Sequence, residues 1–309
     1  MIDGRSSDQH KKGARLLHHT SADEMCPDQE VSQRIKSVES LVLVGQGRTA
    51  EIFEWGEERV LRLFRPGASV QCAQREMRAF RCVNEAELPC PAVYPSDSED
   101  GLVVIEERLG FVMDRVDGPS MLQVLTRWPW KLWPFARALA TFHLSMHRQV
   151  IPGLPSQRDR FHRVIDRLAD ELGETLAARL RAGLDRLDDG GSVCHGDFHP
   201  DNVILSDRGP VVIDWGPATA GAPAADVAWT VYLFQHGGHP PGMSGWQRAM
   251  LTTLRRSFLW VYSRAYFRRS SFNRNEVERW GPVIAAIRLG DGIPEEREFL
   301  LRMLQKHFG

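Results

Sequence analysis

Three side chains ending in carbonyl-type oxygen, Asp197, Asn202 and Asp214, lie close together in the sequence. They sit in the string His195-Gly-Asp-Phe-His-Pro-Asp-Asn202 and at the end of the apolar run Val211-Val-Ile-Asp214. Hard oxygen ligands near a turn suit Mg²⁺, which takes one or two of them from protein and the rest from water and phosphate. Between them, Val203 to Leu205 is a short apolar run, Asp207-Arg-Gly209 is a turn, and Pro210 to Ile213 is a second apolar run. That pattern predicts a hairpin, with Pro210 at the first residue of a strand, where no ladder donor is needed. The hairpin then holds all three oxygen-bearing side chains near its two ends. Taken singly, each reads as a turn former or a strand-end cap; together, at these spacings, they fit a site for a hard cation.

The string His195-Gly-Asp197, four residues, Asn202, followed by Ile213-Asp214-Trp215, resembles the catalytic core of the aminoglycoside phosphotransferase family, which shares the protein-kinase-like fold. The resemblance covers Leu41 to the C-terminus and is strongest from Val193 to Gly216. It implies an α+β, two-lobed enzyme, with a nucleotide-binding sheet lobe over 41–116 and a helical catalytic and substrate lobe over 117–309. It also implies ATP and Mg²⁺ as cofactors and a small-molecule hydroxyl as acceptor. On the same ground Asp197 receives or orients the hydroxyl proton, and Asn202 and Asp214 hold metal. His195 braces the loop, and Asp226 props it from the start of a helix, where a carboxylate suits the N-terminal dipole. The Phe-His-Pro-Asp filling between Asp197 and Asn202 looks more like the antibiotic-kinase pattern than the fructosamine- or choline-kinase ones.

The elements that must position these groups begin at Leu41. Leu41 to Val44 reads as a strand, Gly45 to Ala50 as a glycine turn, Glu51 to Trp55 as a second strand and Arg59 to Phe64 as a third. Gly45 and Gly47 would let backbone amides close over phosphates, although most such turns are only hairpin bends. On the third strand Val60, Arg62 and Phe64 share a face, and an arginine between apolar neighbours needs a partner. The following helix, Val70 to Val83, supplies one: Glu76 lies on the side of the stripe Ala73, Met77 and Phe80.

The family places a lysine where this chain has Arg62, paired with the helix glutamate and touching the nucleotide phosphates. Arginine keeps the charge but is larger, planar and less pliable. Two readings stay open: a working phosphotransferase in an arginine-rich chain, or a nucleotide-binding module with weak or no catalysis. Of the 39 basic residues only five are lysine. The stretches Pro89 to Tyr94, Val103 to Glu106 and Gly110 to Val116 complete the sheet. By resemblance the main chain from Asp114 to Val116 meets the adenine.

After Gly118 the periodicity is helical. Leu132 to Arg148 carries His143 and His147 at the spacing of a helical metal pair. No glutamate accompanies them, so they read as packed or polar-face residues. Gln157 to Leu187 reads as two amphipathic helices broken near Gly173. Helices are expected over Trp246–Arg269, Arg274–Leu289 and Pro294–His307. Arginines outnumber acids in that last region, which weighs against a polycationic acceptor.

Hydrophobic content of 42% and charged content of 26% are those of a globular chain. A formal net charge of −1 gives no argument for nucleic acid or membrane binding. Residues 1–40 carry few apolar residues and no apolar signal core, so they read as a disordered leader of a cytoplasmic protein. The odd count of five cysteines, with no Cys-x-x-Cys pair, fits that compartment. Protein phosphorylation is disfavoured, because too few residues separate Asp214 from the helix near Asp226 for an activation segment.

Overall fold

The computed structural model describes residues 37–99, 101–239 and 242–308. Most of the expected leader lies outside these residues. Within the described part, Val38–Ser40 forms a 3-10 turn whose Ser37 side chain accepts from the Glu39 amide.

The first lobe is an antiparallel sheet. Strands β1 (Leu43–Gln46), β2 (Ala50–Glu54) and β3 (Arg59–Phe64) form a meander, and β3 then pairs with β6 (Arg108–Asp114). The short strands β4 (Val93–Tyr94) and β5 (Val103–Ile105) pair with the two halves of β6. Helix α1 (Val70–Glu85), capped by the Ser69 hydroxyl at the Cys72 amide, covers one face of this sheet. Leu61, Leu63 and Val112 pack with Phe53 and Trp55 on one side. Phe64 and Phe111 pack with Ala73, Met77 and Phe80 on the other. Both faces of β3 are therefore covered, so its side chains are apolar on either side and Arg62 must find its partners within the protein.

Several strand boundaries differ from the sequence reading, the last strand of the sheet running Arg108–Asp114 instead of Gly110–Val116. The first strand begins later, at Leu43, and runs through Gly45, with a register shift between Leu43 and Gly45. Gly45 is thus a strand residue opposite Ile52, and the turn is carried by Gly47 to Thr49. A glycine inside a strand often marks such a bulge. Of Pro89–Tyr94, only Val93–Tyr94 is strand; Pro89 and Pro91 lack ladder donors.

The second lobe is mainly helical: α2 (Met121–Arg127), α3 (Leu132–His147), α4 (Gln157–Arg167), α5 (Ala169–Leu172), α6 (Glu174–Asp185), α7 (Pro223–His236), α8 (Gly245–Phe267), α9 (Arg274–Arg279), α10 (Gly281–Leu289) and α11 (Pro294–Phe308). The expected helix over Arg274–Leu289 is broken at Trp280, whose amide closes α9, and α10 restarts with Pro282, which has no N–H to continue the earlier ladder. No described helix is long and apolar enough to cross a membrane.

Two small antiparallel pairs lie between α6 and α7: β7 (Ser192–Cys194) with β10 (Thr219–Gly221), and β8 (Val203–Ser206) with β9 (Gly209–Val212). They pin the ends of two loops, His195–Asn202 and Ile213–Ala218, and so fix where Asp197, Asn202 and Asp214 emerge.

Candidate active site

The β8–β9 hairpin forms as expected, with Val203 opposite Val212 and Leu205 opposite Pro210, which is the second residue of its strand and not the first. The Ile213 amide then donates to the Asn202 carbonyl at 3.0 Å, which sets Asn202 beside the residue preceding Asp214. The Asn202 side-chain amide donates to the Asp197 carbonyl at 2.9 Å. One buried asparagine therefore ties the two acidic positions together while its Oδ1 stays available. Asp214 has φ of 62°, a left-handed conformation that aspartate tolerates better than most residues. Backbone held this way at the end of a strand is a mark of functional loops.

Arg62 reaches the same place from the sheet lobe. Its Nε lies 2.5 Å from Glu76 Oε1, a close ion pair in which the N–H does not point along the contact. Its Nη2 donates to Asp214 Oδ1 at 3.4 Å. Nη1 has no protein partner among the described residues. Burial raises the Glu76 pKa, Arg62 pulls it back and Asp214 raises it again. Gly216 makes this pairing possible, because a Cβ there would stand 2.8 Å from the Glu76 carboxyl carbon.

Asp197 is held by one donor, and an imidazole stands close to it. Its Oδ1 accepts from the Trp229 indole at 3.0 Å, and its Oδ2 lies 3.6 Å from His199 Nε2. Burial alone would raise its pKa, but the nearby His199 imidazole and the Trp229 bond outweigh this and hold it at about 2. The carboxylate is therefore ionised throughout the neutral range.

Beneath the loop lies a buried polar brace. Asp226 accepts from the His195 and Gly196 amides at 2.7 and 2.8 Å. It also accepts from His143 and His147 Nε2 at 3.0 and 3.2 Å. The Nδ1 atoms of the two histidines meet the hydroxyls of Tyr262 and Tyr266 at 2.7 and 2.6 Å. On each ring Nε2 faces the carboxylate and so donates to it, while Nδ1 faces a hydroxyl that can donate or accept. Three potential metal-ligand atoms of this group lie within 4.8 Å of one another. Each is already hydrogen-bonded, so the cluster serves as a brace, in keeping with the packed role expected for the histidine pair. His195 completes it, with Nε2 on the Ile213 carbonyl at 3.0 Å and the Asp197 amide on its Nδ1 at 3.3 Å.

The chain's similarity to known proteins agrees with this geometry. The model of the phosphotransferase enzyme family abbreviated APH matches residues 41–260. The chain belongs to this family. No curated protein matches the sequence of this phosphotransferase. Solved structures share its fold. A thermostable mutant of the aminoglycoside phosphotransferase APH(4)-Ia, in its apo form, aligns at 16% identity and TM-score 0.57, covering 91% of this chain and 98% of that one. An amicoumacin kinase in complex with AMP-PNP, Ca²⁺ and Ami aligns at 12% identity and TM-score 0.57, covering 88% and 89%. A streptomycin–ATP–APH(2")-IIa ternary complex aligns at 16% identity and TM-score 0.55, covering 90% and 94%. The kinase-like architecture implied by the sequence, an antiparallel sheet followed by a mainly helical region, is the fold of this chain.

In this phosphotransferase a cavity of about 680 Å³ opens between the lobes, and Gly47, Arg62, Glu76, Asp197 and Asp214 line it. Asn202 lies just behind it. Gly45, Asp114 and Val116 are not on its wall. Asp114 is turned away: its amide donates to the Ala92 carbonyl at 2.9 Å, and its carboxylate takes the Ala92 amide and the Tyr94 hydroxyl. The Arg115 amide is bound to the Glu58 carbonyl. Of these three linking amides, only that of Val116 lacks a partner among the described residues. A second cavity of about 600 Å³, among α7 to α11, contains none of the oxygen-bearing trio. The sequence reading missed Trp229, His199 and Arg160 as neighbours of Asp197. His199, inside the motif, carried a signal; Trp229 stands three residues after Asp226, and nothing local marked either it or Arg160.

Proposed function

We propose that the protein transfers the γ-phosphoryl group of ATP to a hydroxyl of a small molecule, with Asp197 as catalytic residue. The observation that carries this reading is the meeting of Arg62, Glu76, Asp197 and Asp214, from four separate segments, on one cavity between the lobes. Asp197 orients the acceptor hydroxyl and takes its proton as the new oxygen–phosphorus bond forms, while the bond to the β-phosphate oxygen breaks and ADP leaves with that electron pair. Because its pKa is held low, Asp197 contributes more by orientation than by early proton removal. Trp229 fixes its carboxylate, His199 stands beside it, and Asp226 fixes the loop that carries it. The donors fit Mg²⁺: Asn202 keeps Oδ1 free, and the Asp214 side chain is 41% exposed. When bound there, such an ion neutralises charge on the nucleotide phosphates. Gly47 lies where the turn covers the cavity, and Arg62 offers Nη1 to phosphate. The amicoumacin kinase and APH(2")-IIa complexes, with their bound AMP-PNP and ATP, support a nucleotide in the corresponding cleft.

A second reading rests on one contact. Arg62 reaches Asp214 as well as Glu76, so it competes with metal for that carboxylate, which favours a nucleotide-binding module with weak catalysis. Acceptor-dependent ATP turnover by wild type, Arg62→Lys and Arg62→Met separates the two. The phosphotransferase reading expects Arg62→Lys to stay within about tenfold of wild type. It expects Arg62→Met to lose about a hundredfold in kcat/KM, the scale of one electrostatic clamp. A gain of a hundredfold or more in Arg62→Lys would instead show that arginine suppresses transfer in the natural chain.

A further inference from the structure

Seven arginines and three carboxylates line the cavity between the lobes. Four of the arginines have carboxylate partners: Arg62 with Glu76 and Asp214, Arg65 with Glu51, Arg288 with Glu296 and Asp291, and Arg48 with Asp291. The other three, Arg75, Arg160 and Arg163, have no carboxylate within ion-pair distance among the described residues. Arg75 touches only the Cys72 sulfur at 3.9 Å, and Arg163 donates to the Asp159 carbonyl of its own helix. Arg160 donates to the Pro217 carbonyl at 2.7 Å. A Cβ added at Gly196, whose φ is 79°, would stand 3.2 Å from Arg160 Nη1. That guanidinium therefore lies against the residue before Asp197 and against the segment that follows Asp214. Burial lowers its pKa, Asp291 offsets part of that, and nearby Arg75 lowers it further.

Guanidinium groups without a carboxylate partner, gathered in one cavity, repel one another, a cost that an anion with several acceptor oxygens offsets. Arg160 and Arg163 come from α4 in the helical lobe, and Arg75 from α1. None belongs to the turn, strand or linking segment assigned to the nucleotide. We infer that Arg75, Arg160 and Arg163 form a subsite for a phosphate or carboxylate group on the acceptor, so that the substrate is an anionic alcohol rather than a polycationic one. This rests on the phosphoryl-transfer reading and narrows its acceptor. An ammonium-rich acceptor would meet like charge beside Asp197, whereas an anionic one would be drawn in and oriented with its free hydroxyl toward that carboxylate.

The test uses the whole chain saturated with AMP-PNP and Mg²⁺, so that the nucleotide subsites are filled. AMP-PNP binding is measured first, and its absence would sink the phosphoryl-transfer reading itself. Inorganic phosphate is then titrated into the loaded wild type and into a double variant, Arg75→Ala with Arg163→Ala. Both of those side chains are exposed, so folding is spared, and circular dichroism confirms it. The subsite predicts saturable phosphate binding that weakens about tenfold or more in the double variant. Turnover with ATP is compared in parallel for alcohols paired by charge, such as a sugar, its phosphate ester and its amino derivative. The phosphorylated member should have the highest kcat/KM, and phosphate should raise its apparent KM. Nucleotide binding without saturable phosphate binding, phosphate binding equal in the two proteins, or fastest turnover of the amino sugar would each overturn the anionic subsite while leaving phosphoryl transfer intact.

Discussion

Replacing Asp197 by Asn lowers acceptor-dependent phosphoryl transfer by about 10²–10⁴-fold, the range for loss of a positioned proton acceptor, while AMP-PNP binding stays within about twofold. The substitution preserves size and one oxygen, which can still accept from Trp229, so the loop keeps its shape. What disappears is the negative charge and the second acceptor oxygen, the one facing His199 at 3.6 Å. The loss should fall on kcat, because the group acts on the reacting hydroxyl and not on the nucleotide. With the Asp197 pKa held at about 2, wild-type kcat should also show no acid limb from this group between pH 5 and 8, a range well above its titration. Single-turnover kinetics with mass detection of the phosphorylated product measures both. Transfer within about fivefold of wild type would remove Asp197 from the reaction and leave the motif as a structural turn.

The second large effect is on stability. Asp226 is fully buried and receives four hydrogen bonds, two from the backbone of the loop that carries Asp197 and two from histidines on α3. Asp226→Asn turns an N–H toward donors and leaves part of that set unpaired. Breaking a buried charged network this way costs about 3–5 kcal/mol, so the denaturation midpoint should fall steeply.

The same network sets a pH dependence. Burial holds the His143 pKa at about 4, below its ordinary 6.5, with His147 lowering it further and the Asp226 bond opposing. The His143–His147 interaction also puts the two rings only 4.2 Å apart. A folded-state pKa below the unfolded one means the unfolded chain binds a proton that the folded chain refuses. The stabilisation is present above about pH 6.5 and is lost as pH falls towards 4. For this one group the loss is of the order of 3 kcal/mol. The Asp226 pKa is held well below its usual range: burial opposes this, but the histidine bonds prevail. Its contribution is therefore lost only below its ordinary value of 3.8, outside the window in which His143 acts. Urea unfolding at pH 7, 5.5 and 4.5 should show the decline, and His143→Gln, which cannot titrate there, should flatten it. Equal slopes in the two proteins would show that the histidine brace has no part in acid sensitivity.

The legible part of the site was the local part. The His195–Asn202 string and the β8–β9 hairpin are short-range features whose turn chemistry and alternation act over a few residues. The Arg62–Glu76 pair was legible because two periodicities, of two on β3 and 3.6 on α1, each put a charged residue on an otherwise apolar face. What could not be read depends on tertiary approach. Trp229 meets Asp197 across a separation of 32 residues, and Tyr262 and Tyr266 meet the α3 histidines across 119. The linking segment was misjudged for a related reason. Its donors are main-chain amides, whose availability depends on neighbouring carbonyls such as Ala92 and Glu58 and leaves no trace in residue type. Gly45 was assigned to the turn because glycine serves bulges and bends alike, and only the pairing with Ile52 decides between them.

The account depends on Asn202 and Asp214 gathering a metal-bound triphosphate beside Asp197. Its most direct test is Mg²⁺-dependent binding of AMP-PNP, followed calorimetrically in wild type and in Asp214→Asn. Wild type should bind the nucleotide tightly only with Mg²⁺ present, and Asp214→Asn should lose most of that metal-dependent gain. Nucleotide affinity indifferent both to Mg²⁺ and to Asp214 would contradict it.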